Sequence, residues 1–307
     1  MELVTRLHEV EGGGGYPIGT LCRLLGVATS SYYRRTGQGN SPRAQANQVL
    51  LGELRGHFVA SHETYGARRL TAALRAHGQM VNHKRVERLM RMGEMMPHPT
   101  RRYRAVAKRP SGRRTAPNRL QQHFVAAAPN QVWLVDTTEF ATHEGPLYLA
   151  VVEDLFSRRV VGWDTGARFT QELVCEALRR ALALRRCARQ QLSGLLHHSD
   201  RGAQYTSDLY LALLAEAGLQ PSMSAAGNCY DNAPMESFMG TLKVEWTHPF
   251  TYSSHSQLHQ DLFDYIEGFY NTHRLHSALG YLSPSAFELR FQQQQHSLVQ
   301  PVSPLDR

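Results

Sequence analysis

Three carboxylates have the type and spacing to do chemistry together: Asp136 in WLVDTTEF, Asp200 in HHSDRGAQY and Glu236 in GNCYDNAPMESF. There are 63 residues between the first two and 35 between the second and third. Carboxylate oxygens are the ligands that hard divalent cations prefer, and a pair of such ions can stabilise both the attacking and the leaving oxygen of a phosphodiester exchange. Asp136 follows the apolar run Val132–Val135, and Asp200 follows Leu195-Leu196, so each is expected at the end of a buried strand. Glu236 is expected to open a helix. Three acids in one closed site would raise each other's pKa unless a cation neutralised them, so the arrangement calls for metal, with two Mg²⁺ (or Mn²⁺) ions as the expected cofactors. Lys243 lies seven residues past Glu236 on the same helical face, well placed to hold a DNA phosphate. Asp154 and Asp231 are further acids nearby. The first is expected to fix the Ser157-Arg158 turn and the second to cap a helix.

Acids so far apart along the chain need a sheet with helices around it to bring them together. QVWLVDTTEF, LYLAVVEDLF after the turn at Glu144-Gly145-Pro146, and SRRVVGWDTG predict three successive antiparallel strands. Residues 170–188 predict a long helix with Leu173, Ala177, Leu178, Leu182 and Leu184 facing inward. SGLLHHSD predicts a short strand, SDLYLALLAEAG a helix capped by Thr206 or Ser207 and stopped at Gly218, and LQPSMS a last strand. DNAPMESFMGTLKVEW predicts a helix with Asp231 or Asn232 at its cap and Pro234 tolerated in its first turn. The order β-β-β-α-β-α-β-α predicts an α/β, ribonuclease-H-like fold: a mixed five-stranded sheet with flanking helices, over residues 126–291. Two more helices are expected within 254–291. The Gln/Ser/Pro-rich tail, 292–307, is expected to be disordered.

An all-α region precedes this core. In residues 1–40, Ile18, Leu21 and Leu25 recur at helical spacing, Gly26 offers a turn, and Thr29-Ser30-Ser31 can cap a second helix ending in Arg34-Arg35, the outline of a helix-turn-helix. Residues 41–97 read as a helical, DNA-binding-like region. One amphipathic helix ends at Gly78, and Asn82 caps a second in which Val86, Leu89 and Met90 form the apolar stripe and Lys84, Arg85, Arg88 and Arg91 mark the other side. Residues 98–125 form a basic linker, in which 101–119 carries eight Lys/Arg and no acid. Arg34, Arg35, Arg85 and Arg88, with Arg201 beside Asp200, are the candidate DNA contacts. A solvated basic face accounts for the same pattern.

The net charge of +8 and pI near 9.5 favour a polyanionic partner. The four cysteines (22, 175, 187, 229) include no C-x-x-C pair, which argues against a disulfide framework or a zinc finger; Cys175 and Cys187 are expected on a buried helix face. No apolar run has membrane-spanning length and no signal-peptide pattern opens the chain, so a cytoplasmic, nucleoid-associated protein is expected.

Taken together, W-x-x-D-T-T, D-L-x-S-R-x-V-V-G-W, H-S-D-R-G-x-Q-Y-x-S, S-M-S-x-x-G-N-C-Y-D-N-A-x-x-E-S-F and Y-N-x-x-R-x-H-S-A-L-G-Y-x-S-P-x-x-F resemble the insertion-sequence transposases of the OrfB type, which have a retroviral-integrase-like DDE core. The resemblance runs from about Tyr16 to Phe291. It implies that Asp136, Asp200 and Glu236 are the catalytic metal ligands and that Lys243 matches the basic residue the family carries after its Glu. It also implies hydrolysis at a transposon end followed by attack of the freed 3′-hydroxyl on another phosphodiester. The implied partners are DNA (transposon ends and target), further copies of the chain in a homo-multimer, and the product of a partner reading frame that supplies end recognition. One departure is Ala225-Ala226, where the family usually has basic or polar residues. Two other readings share these residues: a ribonuclease-H-fold nuclease, and a DNA-binding regulator with a decayed core. Strand transfer on paired DNA ends separates the first, and metal-dependent cleavage the second.

Overall fold

The computed structural model describes residues 2–8, 16–36, 41–98, 115–188, 190–225, 229–247 and 250–299. The chain divides into two compact units, Met1–Pro97 and His98–Arg307.

The first unit is helical: α1 (Glu2–His8), α2 (Ile18–Leu24), α3 (Thr29–Thr36), α4 (Pro42–Ala60), α5 (Ala67–Ala76) and α6 (His83–Met92). Gly26, at φ 63°, makes the turn between α2 and α3, in the left-handed region where glycine carries no Cβ penalty. Val4, Leu21, Cys22 and Tyr32 form the small core of α1–α3, whereas Leu25, predicted to face inward, is exposed. The stretch 44–96, read as helical throughout, is broken by a turn at His62-Glu63, both with positive φ. In α6 the predicted stripe of Val86, Leu89 and Met90 is buried, and the Asn82 side chain accepts from the Lys84 N–H.

The second unit holds β1 (Val132–Thr142), β2 (Gly145–Asp154), β3 (Val160–Gly166), α7 (Gln171–Cys187), β4 (Leu196–Ser199), α8 (Asp208–Glu216), β5 (Gln220–Met223), α9 (Ala233–Leu242), α10 (His255–Phe263) and α11 (Pro284–Val299). Its five strands are ordered β3-β2-β1-β4-β5. The first three form the predicted antiparallel meander, and β4 and β5 join parallel, returning through α7 and α8. This is the ribonuclease-H-like arrangement that the element order predicts. Trp133 and Val135 of β1 bury against α7 and α8 in one cluster. Strand alternation turns Asp136 to the opposite face. Gly162 explains the glycine of V-V-G-W: a Cβ there would lie 2.3 Å from the Ala177 carbonyl oxygen and 2.6 Å from the Ala181 nitrogen. Only a residue without a side chain lets α7 lie this close on β3.

A buried charge cluster ties the sheet to the C-terminal helix. Arg185 of α7 donates to Glu288 of α11 at 2.6 and 2.9 Å and to Asp154 at 3.3 Å, with all three side chains almost fully buried. Glu288 also accepts from Ser157 Oγ and Arg159. Asp154 accepts from the Phe156, Ser157 and Asn130 amides, so it holds the predicted turn and carries an ion pair besides. Asn271, itself buried, bridges the edge of β3, its Oδ1 accepting from Val160 N–H and its Nδ2 donating to Val160 C=O.

Three further expectations differ, the first being Leu184 of α7, which is predicted to face inward and is exposed. α11 continues through the glutamine run to Val299, past the boundary drawn at Gln292, because glutamine sustains a helix well once packing has started one; residues 300–307 lie outside the described ones. Cys175 is buried, but Cys187, in the last turn of α7, is exposed.

Candidate active site

Asp136 sits within β1, not at its end: the strand runs on to Thr142, and Asp136 pairs with Val151 of β2. An acid is tolerated there because Asp136 is only half-buried and its Oδ1 accepts from the Thr137 N–H at 2.7 Å. Asp200 follows β4 directly, as predicted, and its Oδ1 accepts from the Gly202 N–H at 2.9 Å. A Cβ at position 202 would sit 3.0 Å from that same oxygen, so the glycine leaves the carboxylate room in a tight turn. Glu236 lies in the first turn of α9, where the helix dipole favours a carboxylate.

Asp136 acts electrostatically on Glu236, and Asp136 and Asp200 both act on Tyr205. Burial first, and then the negative charge of Asp136, raise the Glu236 carboxyl above the ordinary carboxylate range. The phenol of buried Tyr205 is kept neutral by burial, by Asp200 and by Asp136, in that order, which sets both aspartates near one ring. Among the described residues no three His, Cys, Asp or Glu side chains stand close enough to enclose an ion. The donor set nevertheless has the chemistry a hard cation requires: three carboxylates, two steadied by backbone N–H groups, and a third held uncomfortably close to one of them.

Lys243 does not continue an unbroken α-helix from Glu236. α9 ends at Leu242 and passes into a π-helical turn, Lys243–Thr247, which resets the helical face. The Lys243 ammonium lies 5.3 Å from the centre of the Phe140 ring, in the same β1 strand as Asp136.

The other predicted DNA contacts are more scattered. Arg201 is turned inward, its Nε donating to the Ser224 carbonyl at 2.8 Å. Arg85 donates twice to Asn47 Oδ1, at 2.8 and 3.1 Å, so it holds α6 against α4. Arg88 is exposed. The side chains of Arg34 and Arg35, the basic run 101–114 and Ala226 lie outside the described residues.

Sequence reasoning missed how Glu236 is mounted. Asp231 is not a helix cap: its carboxylate accepts from Ala225 N–H, Asn118 Nδ2 and Gln122 Nε2, at 2.7, 2.9 and 2.8 Å. The N-cap is Asn232, whose Nδ2 donates to the Val135 carbonyl at 3.0 Å, next to Asp136. The D-N-A-x-x-E spacing was the available signal.

The chain matches family models for an integrase core domain over residues 126–229 and again over 217–284, and for an HTH-like domain over 45–103. The HTH-like match therefore falls on α4–α6. The transposase InsF of insertion sequence IS3A from Escherichia coli (strain K12) is 42% identical over 285 residues, 92% of this chain and 96% of that protein. An uncharacterized 31 kDa protein of insertion element IS600 from Shigella sonnei is 40% identical over 273 residues, 89% of this chain and 99% of that protein. Among solved structures, a chain of the simian T-cell lymphotropic virus intasome is 18% identical with a TM-score of 0.44, covering 77% of this chain and 74% of that one. With two-fifths identity sustained across almost the full length of both partners, the chain belongs to the family of IS3-type insertion-sequence transposases.

Proposed function

We propose that the chain is a DDE polynucleotidyl transferase that cleaves DNA at transposon ends and joins the freed 3′-hydroxyl to target DNA, with Asp136, Asp200 and Glu236 as its metal ligands. What supports this reading is the set of three acids, on β1, directly after β4 and in the first turn of α9, in a chain 42% identical to a transposase over most of its length; the charge of Asp136, which raises the Glu236 carboxyl, is one that a bound cation would offset. Divalent ions, two Mg²⁺ by this reading, would supply activation of the attacking oxygen and stabilisation of the leaving one. The chain's own residues hold and orient. Thr137 N–H and Gly202 N–H each hold one oxygen of an aspartate and so orient the two carboxylates. Lys243, beside the Phe140 ring, offers an ammonium to a DNA phosphate. In-line displacement in this site needs no covalent enzyme intermediate.

The N-terminal segments, divided as 1–40, 41–97 and the basic linker 98–125, serve DNA binding in this reading, with 126–291 as the catalytic core. Exposed Arg88 is the phosphate contact that the described surface favours, whereas Arg85 and Arg201 act mainly within the fold. Joining two ends implies a multimer on DNA, with a partner reading-frame product contributing end recognition, and a cytoplasmic site at the nucleoid. Among the described residues no helix is long and apolar enough to cross a membrane.

The test is metal-dependent cleavage and strand transfer on a labelled transposon end. Asp136→Asn, Asp200→Asn and Glu236→Gln are each expected to abolish both steps while DNA binding persists. Full cleavage by any of the three would remove that residue from the site. Cleavage without strand transfer on paired ends would instead favour a simple nuclease.

A further inference from the structure

Asp231 and Asn232 are absent from the proposed chemistry, yet both are buried and both bond to other segments of the chain. Asp231 takes donors from Asn118 and Gln122, in the chain that follows the basic run, and from Ala225 just after β5. Asn232 fastens the start of α9 to the Val135 carbonyl of β1. Glu236 stands one turn beyond, and Asp136 is the next residue along the strand. The same incoming segment is stitched to the sheet a second time, where the Arg119 N–H donates to Ser222 Oγ on β5 at 3.0 Å.

We infer that Asp231 and Asn232 are positioning residues that set Glu236 against Asp136, and that Asp231 makes this setting depend on the connector segment 115–122. The inference rests on Glu236 being a metal ligand. Its physical basis is that Asp231 offers two oxygens to three donors, two from the connector and one from the chain just after β5. A charged acceptor makes such bonds strong, and Asp231 is itself almost fully buried, so removing it unties three segments at once. A connector correctly seated would thus be a condition for a complete carboxylate set.

The experiment uses the full chain, a labelled transposon end, Mg²⁺ and four proteins: wild type, Asp231→Ala, the connector pair Asn118→Ala/Gln122→Ala, and Glu236→Gln. Rate at saturating DNA, DNA affinity and amide exchange in 229–242 are measured. Asp231→Ala is expected to lower the single-turnover rate on the order of 100-fold, the scale of a small misplacement of a catalytic group, with DNA affinity unchanged. Exchange in 229–242 should rise, and added Mg²⁺ should restore part of the rate. The connector pair should show the same pattern more weakly. Glu236→Gln should be inactive with exchange in 229–242 unchanged and no rescue by Mg²⁺. A connector pair with wild-type rate and exchange overturns the coupling, even if Asp231→Ala fails to fold. A slow Asp231→Ala with unaltered exchange overturns the positioning role. An active Glu236→Gln would instead overturn the active-site reading on which both stand.

Discussion

Glu236 and Glu288 both reach from a helix toward an aspartate of the same sheet, and their surroundings are opposite. Glu288 approaches Asp154 with Arg185 between them and Arg159 and Ser157 Oγ alongside; these partners hold its carboxyl below the ordinary range despite burial. Glu236 approaches Asp136 and its carboxyl is pushed up by burial and by that neighbour's charge, with no cation among the causes. One acid pair is completed by the protein's own guanidinium and braces the fold. The other couples two like charges at a half-open position, where solvent and ions have access. The brace is closed off around its guanidinium, whereas the candidate metal site stays open.

Exchanging the two glutamates for glutamine would break this contrast most directly. Glu236→Gln is expected to lower end cleavage by about 10⁴-fold, as when one member of a cooperating catalytic set is removed. Its melting temperature should stay near wild type. Glu288→Gln should do the reverse, melting lower while the folded fraction cleaves normally. Next in size, Arg185→Ala leaves Asp154 and Glu288 buried without their shared cation and should destabilise the second unit by roughly 3–5 kcal/mol, read by denaturant unfolding. Wild-type stability in that variant would show that the brace is dispensable.

A pH series sharpens the comparison. Since the folded-state pKa of Glu236 is raised, the folded protein holds a proton that the unfolded chain releases, so its contribution to stability falls as pH rises through that interval. A divalent cation binds the ionised form and offsets the loss. Stabilisation by Mg²⁺ should therefore grow from acid to neutral pH in wild type and stay flat in Glu236→Gln, measured by thermal melting. Glu153 gives the smallest effect. Fully buried, it is raised to about 7 by desolvation, which outweighs Arg158. Folding then becomes less favourable as pH climbs from the usual carboxylate range toward 7, and Glu153→Gln should flatten that slope without altering cleavage.

The sequence made the candidate acids and the order of elements legible because both are local signals. An acid at the edge of an apolar run is conspicuous, and strand and helix periods are read in short windows. Asp200 and Glu236 fell where those windows place them. Asp136 did not, since pairing with β2 carries β1 to Thr142 well beyond its apolar stretch. What stayed hidden are contacts that join distant segments. Asp231 looked like a cap because caps are local, whereas its partners lie 109 and 113 residues upstream. Arg85 looked like a DNA contact because its helix face is basic, yet it bonds Asn47. The π-helical turn after Leu242 left no periodicity to detect, so Lys243 was assigned by α-helical geometry.

Asn271 has a consequence beyond its own two bonds. By offering one acceptor and one donor to the two main-chain groups of Val160, a single amide side chain imitates the neighbouring strand that β3 lacks. With both groups already taken, that stretch of the sheet has nothing left for another strand to pair with.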